Sequence, residues 1–305
     1  MDIFKGIEQL PDMSSGSAVA IGNFDGMHLG HQEILQSLVK QGKKQNLSAF
    51  VLTFSSHPRK VLGENSLDLI QTHEQRLDDI KKYAVQGILI LTFDKVLSSQ
   101  PAEQFIDRIL IDSLHARVVI VGENFHFGKK REGNVEFLKK ISARSGFRVI
   151  SVPSVIIDGI NISSSYIRQL LKTGEIEKAS RFLGHPYSVC GTVVKGDSIG
   201  KALGFPTANI ITPNEILPPG VFITQTQIGL KKYPSLTNVG IRPTFHHRGE
   251  HIESFLINFK NDLYGRIVNV SFLKKIRDER KFESPEALTE QIQRDLQTAK
   301  DYFQI

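Results

Sequence analysis

The chain has 305 residues, 40% hydrophobic and 23% charged, enough for two compact units and leaving little room for a long disordered tract. Its single cysteine, Cys190, excludes an internal disulfide framework and a zinc site built on several thiolates, and fits a reducing compartment. The net charge of +6 comes from scattered basic residues, tryptophan is absent and aromatics are few, so phosphorylated small molecules rather than nucleic acid are expected as partners.

The first residues lack a charged segment leading into an apolar run and a cleavage site. No stretch approaches bilayer-spanning length, so a cytoplasmic protein without a membrane partner is expected. From residue 18 to about residue 146, continuous apolar runs alternate with helical patterns, the rhythm of a parallel sheet covered by helices on both faces. Strands are predicted over 18–21, 49–54, 88–93, 118–121 and 148–152, and helices over 32–40, 74–85 and 102–114, with Pro101 suited to a first helical turn. Helices are also predicted over 166–171, capped by Ser164 or Ser165, and near 175–182.

A domain boundary is placed near Gly184-His185-Pro186, giving units 1–184 and 185–305. Beyond it, short strand-like pieces at 187–194, 220–226, 235–239, 251–259 and 267–272 are broken by glycine and proline and read as an antiparallel sheet or small barrel. A helix over 285–302, capped by Ser284, closes the chain.

The strongest motif of the first half follows the first apolar strand: Gly22-Asn23-Phe24-Asp25-Gly26-Met27-His28-Leu29-Gly30-His31, leading into a helix. A helix N-terminus beyond a parallel strand offers free amides and a positive dipole to phosphate, and His28 and His31 can donate hydrogen bonds to oxygens whose charge grows during transfer. Three further segments follow strand ends: Ser55-Ser56-His57-Pro58-Arg59, Asn124-Phe125-His126-Phe127-Gly128, and Ser163-Ser164-Ser165-Tyr166-Ile167-Arg168. The serine run is a possible phosphate cradle or an ordinary cap, and Arg168 can clamp phosphate. Phe125 and Phe127 are either a stacking surface for an aromatic ligand or core.

In the second half, residues 191–209 are glycine-rich and end in Pro206-Thr207-Ala208-Asn209. This is not a Walker A element, because the glycine-to-lysine spacing differs and Ala202 follows Lys201. By glycines alone it reads as barrel turns; by chemistry, as a phosphate-covering loop.

With these strings together, the chain resembles the prokaryotic bifunctional riboflavin kinase/FAD synthetase family. Residues 15–184 resemble its adenylyltransferase module. Residues 185–285 resemble its riboflavin kinase module, through the loop 191–209 and through Pro219-Gly220-Val221-Phe222, Asn238-Val239-Gly240-Ile241-Arg242-Pro243, Glu253-Ser254-Phe255 and Leu263-Tyr264-Gly265. The resemblance implies an α/β Rossmann-like nucleotidyltransferase domain followed by a small antiparallel Greek-key β-barrel and a C-terminal helix. It also implies ATP as co-substrate, Mg2+ as cofactor, and riboflavin, FMN, FAD and pyrophosphate as substrates or products.

By the same resemblance, ATP binds near Gly22, Asn23, Phe24, Asp25, Gly30, Ser163, Ser164 and Ser165, with His28, His31 and Arg168 in catalytic roles. His57, Pro58, Arg59, Asn124, Phe125 and Phe127 lie on the flavin side. In the kinase module the nucleotide loop comprises Gly191, Lys195, Gly196, Gly200, Lys201, Gly204, Pro206 and Thr207. Thr207 and Asn209 hold the metal, Glu253 is the base, and Phe222 and Arg242 contact flavin.

The chain departs from the family where Ser55-Ser56 replace an acidic residue and a proline, Ser165 a threonine, Phe222 a frequent tyrosine and Asn258 a frequent aspartate. A member with one active module, and a flavin-binding regulator, therefore stand as alternatives. The pair His246-His247 with His251 is read as a solvated loop rather than a metal site.

Overall fold

The computed structural model describes residues 1–63, 66–196, 200, 204–241 and 250–305. It divides into two compact units, Met1–Ser164 and Ser165–Ile305. The helices over 164–183, grouped by sequence with the first module, therefore fall almost wholly in the second unit.

The first unit is built on six parallel strands: β1 (Asp2–Lys5), β2 (Ser17–Ile21), β3 (Ser48–Phe54), β4 (Gly87–Leu91), β5 (Ala116–Gly122) and, after a short ribbon of β6 (His126–Phe127) and β7 (Gly133–Asn134), β8 (Arg148–Val152). Their order is β1-β4-β3-β2-β5-β8. Helices α1 (Leu29–Gln45), α2 (Pro58–Val61), α3 (His73–Lys81), α4 (Lys95–Ser99), α5 (Ala102–Phe105) and α6 (Val135–Ser145) connect them.

The apolar runs are continuous because both faces of the sheet are covered. Val19, Ile21, Leu52 and Val121 enter one core, and Ala18, Ala20, Val51 and Ile120 the other. The edge strand β1 lies outside the predicted strands, since its four residues, exposed at both ends, form no continuous apolar run. Pro101 is the cap residue preceding α5 rather than its first residue, and the helix continues from Ile106 to Ser113 with π-type turns. A second ribbon, β9 (Ile156–Ile157) with β10 (Ile160–Asn161), leads to α7 (Ser164–Lys172).

The second unit contains α8 (Ile176–Leu183) and a closed barrel of β11 (Ser188–Val194), β12 (Ala208–Ile211), β13 (Gly220–Ile228), β14 (Lys231–Ile241), β15 (Glu250–Leu256) and β16 (Ile267–Arg277), in the order β11-β12-β15-β14-β13-β16. Consecutive strands β13, β14 and β15 pair in turn while β16 returns beside β13, which is a Greek key.

Alternation along β13 sends Phe222, Thr224 and Thr226 inward, and Val221 and Ile223 outward against the C-terminal helix Pro285–Phe303. The barrel interior includes a buried hydroxyl network: Thr224 bonds Ser235 and Thr237, and Thr226 bonds Ser235 and Ser254. Ser284 caps the C-terminal helix by accepting from the Ala287 amide at 3.2 Å, as expected.

Candidate functional sites

The first site lies where the sheet order reverses. β2 and β5 are neighbours, while β3 lies on the other side of β2 and β8 on the other side of β5, so the ends of β2 and β5 frame a topological switch point. The loop 22–28 leaves β2 there and enters α1. His28 caps this helix: its Nδ1 accepts from the His31 amide at 3.3 Å, so the neutral ring carries its proton on Nε2. The His31 ring stacks on it, centroids 3.6 Å apart and planes 19° apart. Phe24 meets His31 edge-on at 5.3 Å and is fully buried, so its ring supports the pair from the core side.

Asp25 has a structural role in the loop. Its carboxylate is 3% exposed and accepts from the amides of Ile70 at 3.1 Å and Gln71 at 3.2 Å. Its carbonyl accepts from the Ser164 hydroxyl at 2.9 Å, and the Gly26 amide donates to Gln71 Oε1 at 3.0 Å. Asp25 thus ties the loop to residues 70–71 and to the start of α7. Ser163 is exposed, Gly22 and Gly30 half-buried; Ser165, exposed, and Arg168, buried, lie on α7 in the second unit.

On the proposed flavin side, His57 caps α2 through the Arg59 amide at 3.2 Å, Pro58 opens that helix, and Arg59 is exposed. The Asn124 amide donates to the Ser154 hydroxyl at 3.2 Å. Glu123 receives hydrogen bonds from Ser154, which hold its carboxyl below the usual range. Phe125 and Phe127 stack at 5.4 Å and pack against the core, with Phe127 also touching Phe105 and Phe137. Their packing face is therefore used within the fold.

The second site is a cavity of about 390 Å3 between the outer barrel face and the C-terminal helix. Thr207, Asn238, Glu253, Phe255, Phe282 and Asp295 are among its walls. Glu253 is paired in register with Asn209 on one side and Asn238 on the other. Its Oε1 lies 3.7 Å from His251 Nε2.

Gly196 packs on the Asn209 side-chain amide, where a Cβ would collide, and Gly200, on the cavity wall, accepts from the Phe205 amide at 2.7 Å. Gly191 serves the barrel instead: buried on β11, it lets the Ile211 carbonyl approach. Phe222 is not brought to the cavity, because its ring is fully buried against Phe272 at 5.2 Å. Lys195, Gly204 and Pro206 are exposed. Lys201 and Arg242, and the pair His246-His247, lie outside the described residues.

Comparison with known proteins separates the same two halves. A family model described as FAD synthetase matches residues 10–166, and one described as riboflavin kinase matches residues 183–303. A protein of Buchnera aphidicola subsp. Schizaphis graminum named bifunctional riboflavin kinase/FMN adenylyltransferase is 39% identical, with 100% of each chain covered. The chain belongs to the bifunctional riboflavin kinase/FMN adenylyltransferase family.

A member from Escherichia coli strain K12 is 34% identical over 99% of this chain and 98% of its own. A crystal structure named as a macrolide-efflux protein from Streptococcus pneumoniae superposes with a TM-score of 0.89 at 29% identity, covering 98% of each chain. Among the described residues of this family member, no helix is long and apolar enough to cross a membrane.

Several residues around the two sites have no local signal in the sequence. Arg277 donates through Nε to Asp295 at 2.9 Å, Gln291 donates to the same carboxylate at 2.8 Å, and Arg280 lies 4.9 Å over the Phe282 ring. In the first unit, Arg76 reaches the carbonyls of Asn23 and Phe54. The folding of distant segments brings Arg277 to Asp295 and Arg76 to Asn23 and Phe54, whereas Gln291 meets Asp295 one helical turn away. Asn238 stood inside a recognised string, but its pairing with Glu253 emerges from the β14–β15 register.

Proposed function

We propose that the barrel unit phosphorylates riboflavin and the sheet unit joins the resulting FMN to AMP, with Glu253, flanked in register by two asparagines on the wall of a cavity, as the observation that carries the reading. A cavity of about 390 Å3 with apolar walls and a few polar groups suits a small aromatic ligand. Glu253 accepts the proton of the ribityl 5′-hydroxyl as that oxygen attacks the γ-phosphorus of ATP and ADP leaves.

Asn209 pairs in register with Glu253 and Thr207 lines the same cavity as Glu253, so both offer hard oxygen donors of the kind magnesium takes. When bound, magnesium neutralises phosphate charge.

In the sheet unit, an FMN phosphate oxygen attacks the α-phosphorus of ATP and pyrophosphate departs. The stacked His28 and His31 and the first amides of α1 stabilise the growing charge, and no protein nucleophile is required. The adenylyl-transfer module accordingly runs over 1–184 and the kinase over 185–305. The functional boundary lies beyond the compact unit's end at Ser164 because Ser165 and Arg168 belong to the transfer motif. The protein acts in the cytoplasm on ATP and flavins, without nucleic acid.

Incubating the purified chain with ATP and magnesium, once with riboflavin and once with FMN, and separating products by chromatography tests this reading. FMN and then FAD are expected; no new flavin from either substrate would overturn it.

A further inference from the structure

The sheet unit holds a buried cation that no step above uses. Arg76, on α3, is 6% exposed. Its Nη1 donates to the Asn23 carbonyl at 3.0 Å and its Nη2 to the Phe54 carbonyl at 2.7 Å. Asn23 belongs to the loop after β2; Phe54 is the last residue of β3, from which the segment to His57 departs. β2 and β3 are adjacent, so one planar fork spans the ends of two neighbouring strands. The same Nη2 lies 2.8 Å from His73 Nδ1, which must be the acceptor because a guanidinium only donates.

Seating a cation on neutral carbonyls at this depth is costly, and an apolar side chain would fill the space at less cost. What the arginine supplies is geometry: two donors at a rigid separation, each on a different loop. The neighbouring Asp25, anchored on residues 70–71, braces the first loop from its other end.

We propose that Arg76 is a positioning residue for adenylyl transfer, holding the nucleotide loop after β2 and the flavin-side loop after β3 at a fixed spacing so that the FMN phosphate meets the α-phosphorus in line. The inference rests on the adenylyltransferase reading of this unit. A lysine keeps the charge but cannot bridge two carbonyls with one fork.

The test uses full-length R76K and R76Q. FAD formation from FMN is measured at saturating substrate, ATP and FMN affinities by equilibrium titration, and folding by circular dichroism melting. Misalignment without loss of binding should lower kcat on the order of 10- to 100-fold in R76K while both affinities stay near those of the unaltered chain. Riboflavin phosphorylation should continue in both variants. A folded R76K with unchanged kcat, or losses in both variants that only follow the folded fraction, would overturn the proposal. An unaltered chain that makes no FAD from FMN instead removes the underlying reading, and the proposal with it, before any substitution is compared.

Discussion

Glu253 on β15 is the direct cross-strand partner of Asn209 on β12. That register puts a carboxylate, which lines the barrel cavity together with Thr207, beside a side-chain amide. Replacing Glu253 with glutamine preserves size and hydrogen bonding but removes the base. Riboflavin phosphorylation should fall on the order of 100- to 10,000-fold while FAD formation from supplied FMN continues, both read by chromatography of flavin products. Equal loss of the two activities would refute separate sites.

Asp25 supports the loop after β2. Asp25→Ala would leave the buried amides of Ile70 and Gln71 without their acceptor, at a cost of about 1–3 kcal/mol. Denaturant unfolding should show the loss, with a smaller one in Asp25→Asn, which keeps an acceptor oxygen. An unchanged midpoint in the alanine variant would show that these bonds contribute nothing.

Asp295 is 2% exposed and holds Arg277, 20% exposed, across the cavity wall. Asp295→Ala removes the carboxylate partner of the arginine and should lower barrel stability by about 1–3 kcal/mol. It should also raise the KM for riboflavin, because the C-terminal helix loses its tie to β16 at the cavity. Adenylyl transfer from supplied FMN should be spared at temperatures where the barrel remains folded.

His73 gives the sheet unit a response to acid. Burial first, and the Arg76 charge second, hold its pKa below the ordinary value. The folded chain therefore takes up this proton less readily than the unfolded chain. The associated stability is present above the unfolded pKa, about 6.5, and is lost as pH falls through the lower folded value. Thermal midpoints between pH 7 and pH 5 should drop less steeply in His73→Gln; parallel slopes would exclude the effect.

The two architectures were legible because each writes its pattern locally. A parallel strand covered on both faces must be apolar at successive positions, as at Ala18-Val19-Ala20-Ile21, and a closed barrel needs turn residues between short alternating strands. The edge strand β1 and the short β12 escaped because four residues carry too little periodicity to stand out.

Side-chain roles were less legible than the motifs that contain them. Asp25 and Phe222 sit in strings read as ligand sites; the carboxylate of one meets the backbone at 70–71 and the ring of the other enters the barrel core. A string specifies that a residue is present; its direction follows from local φ/ψ and strand phase, which depend on what packs around it.

By itself, the amino-acid order determined two modules, their fold classes and the glycine-bearing loops, since hydrophobic period, glycine placement and helix-start chemistry act over a few neighbouring residues. Only the tertiary structure decided that Glu253 lies between Asn209 and Asn238, that Arg277 meets Asp295, and that Arg76 bridges Asn23 to Phe54. Those pairings join residues far apart in the chain, and their partners are selected by sheet register and barrel closure, which no local stretch encodes.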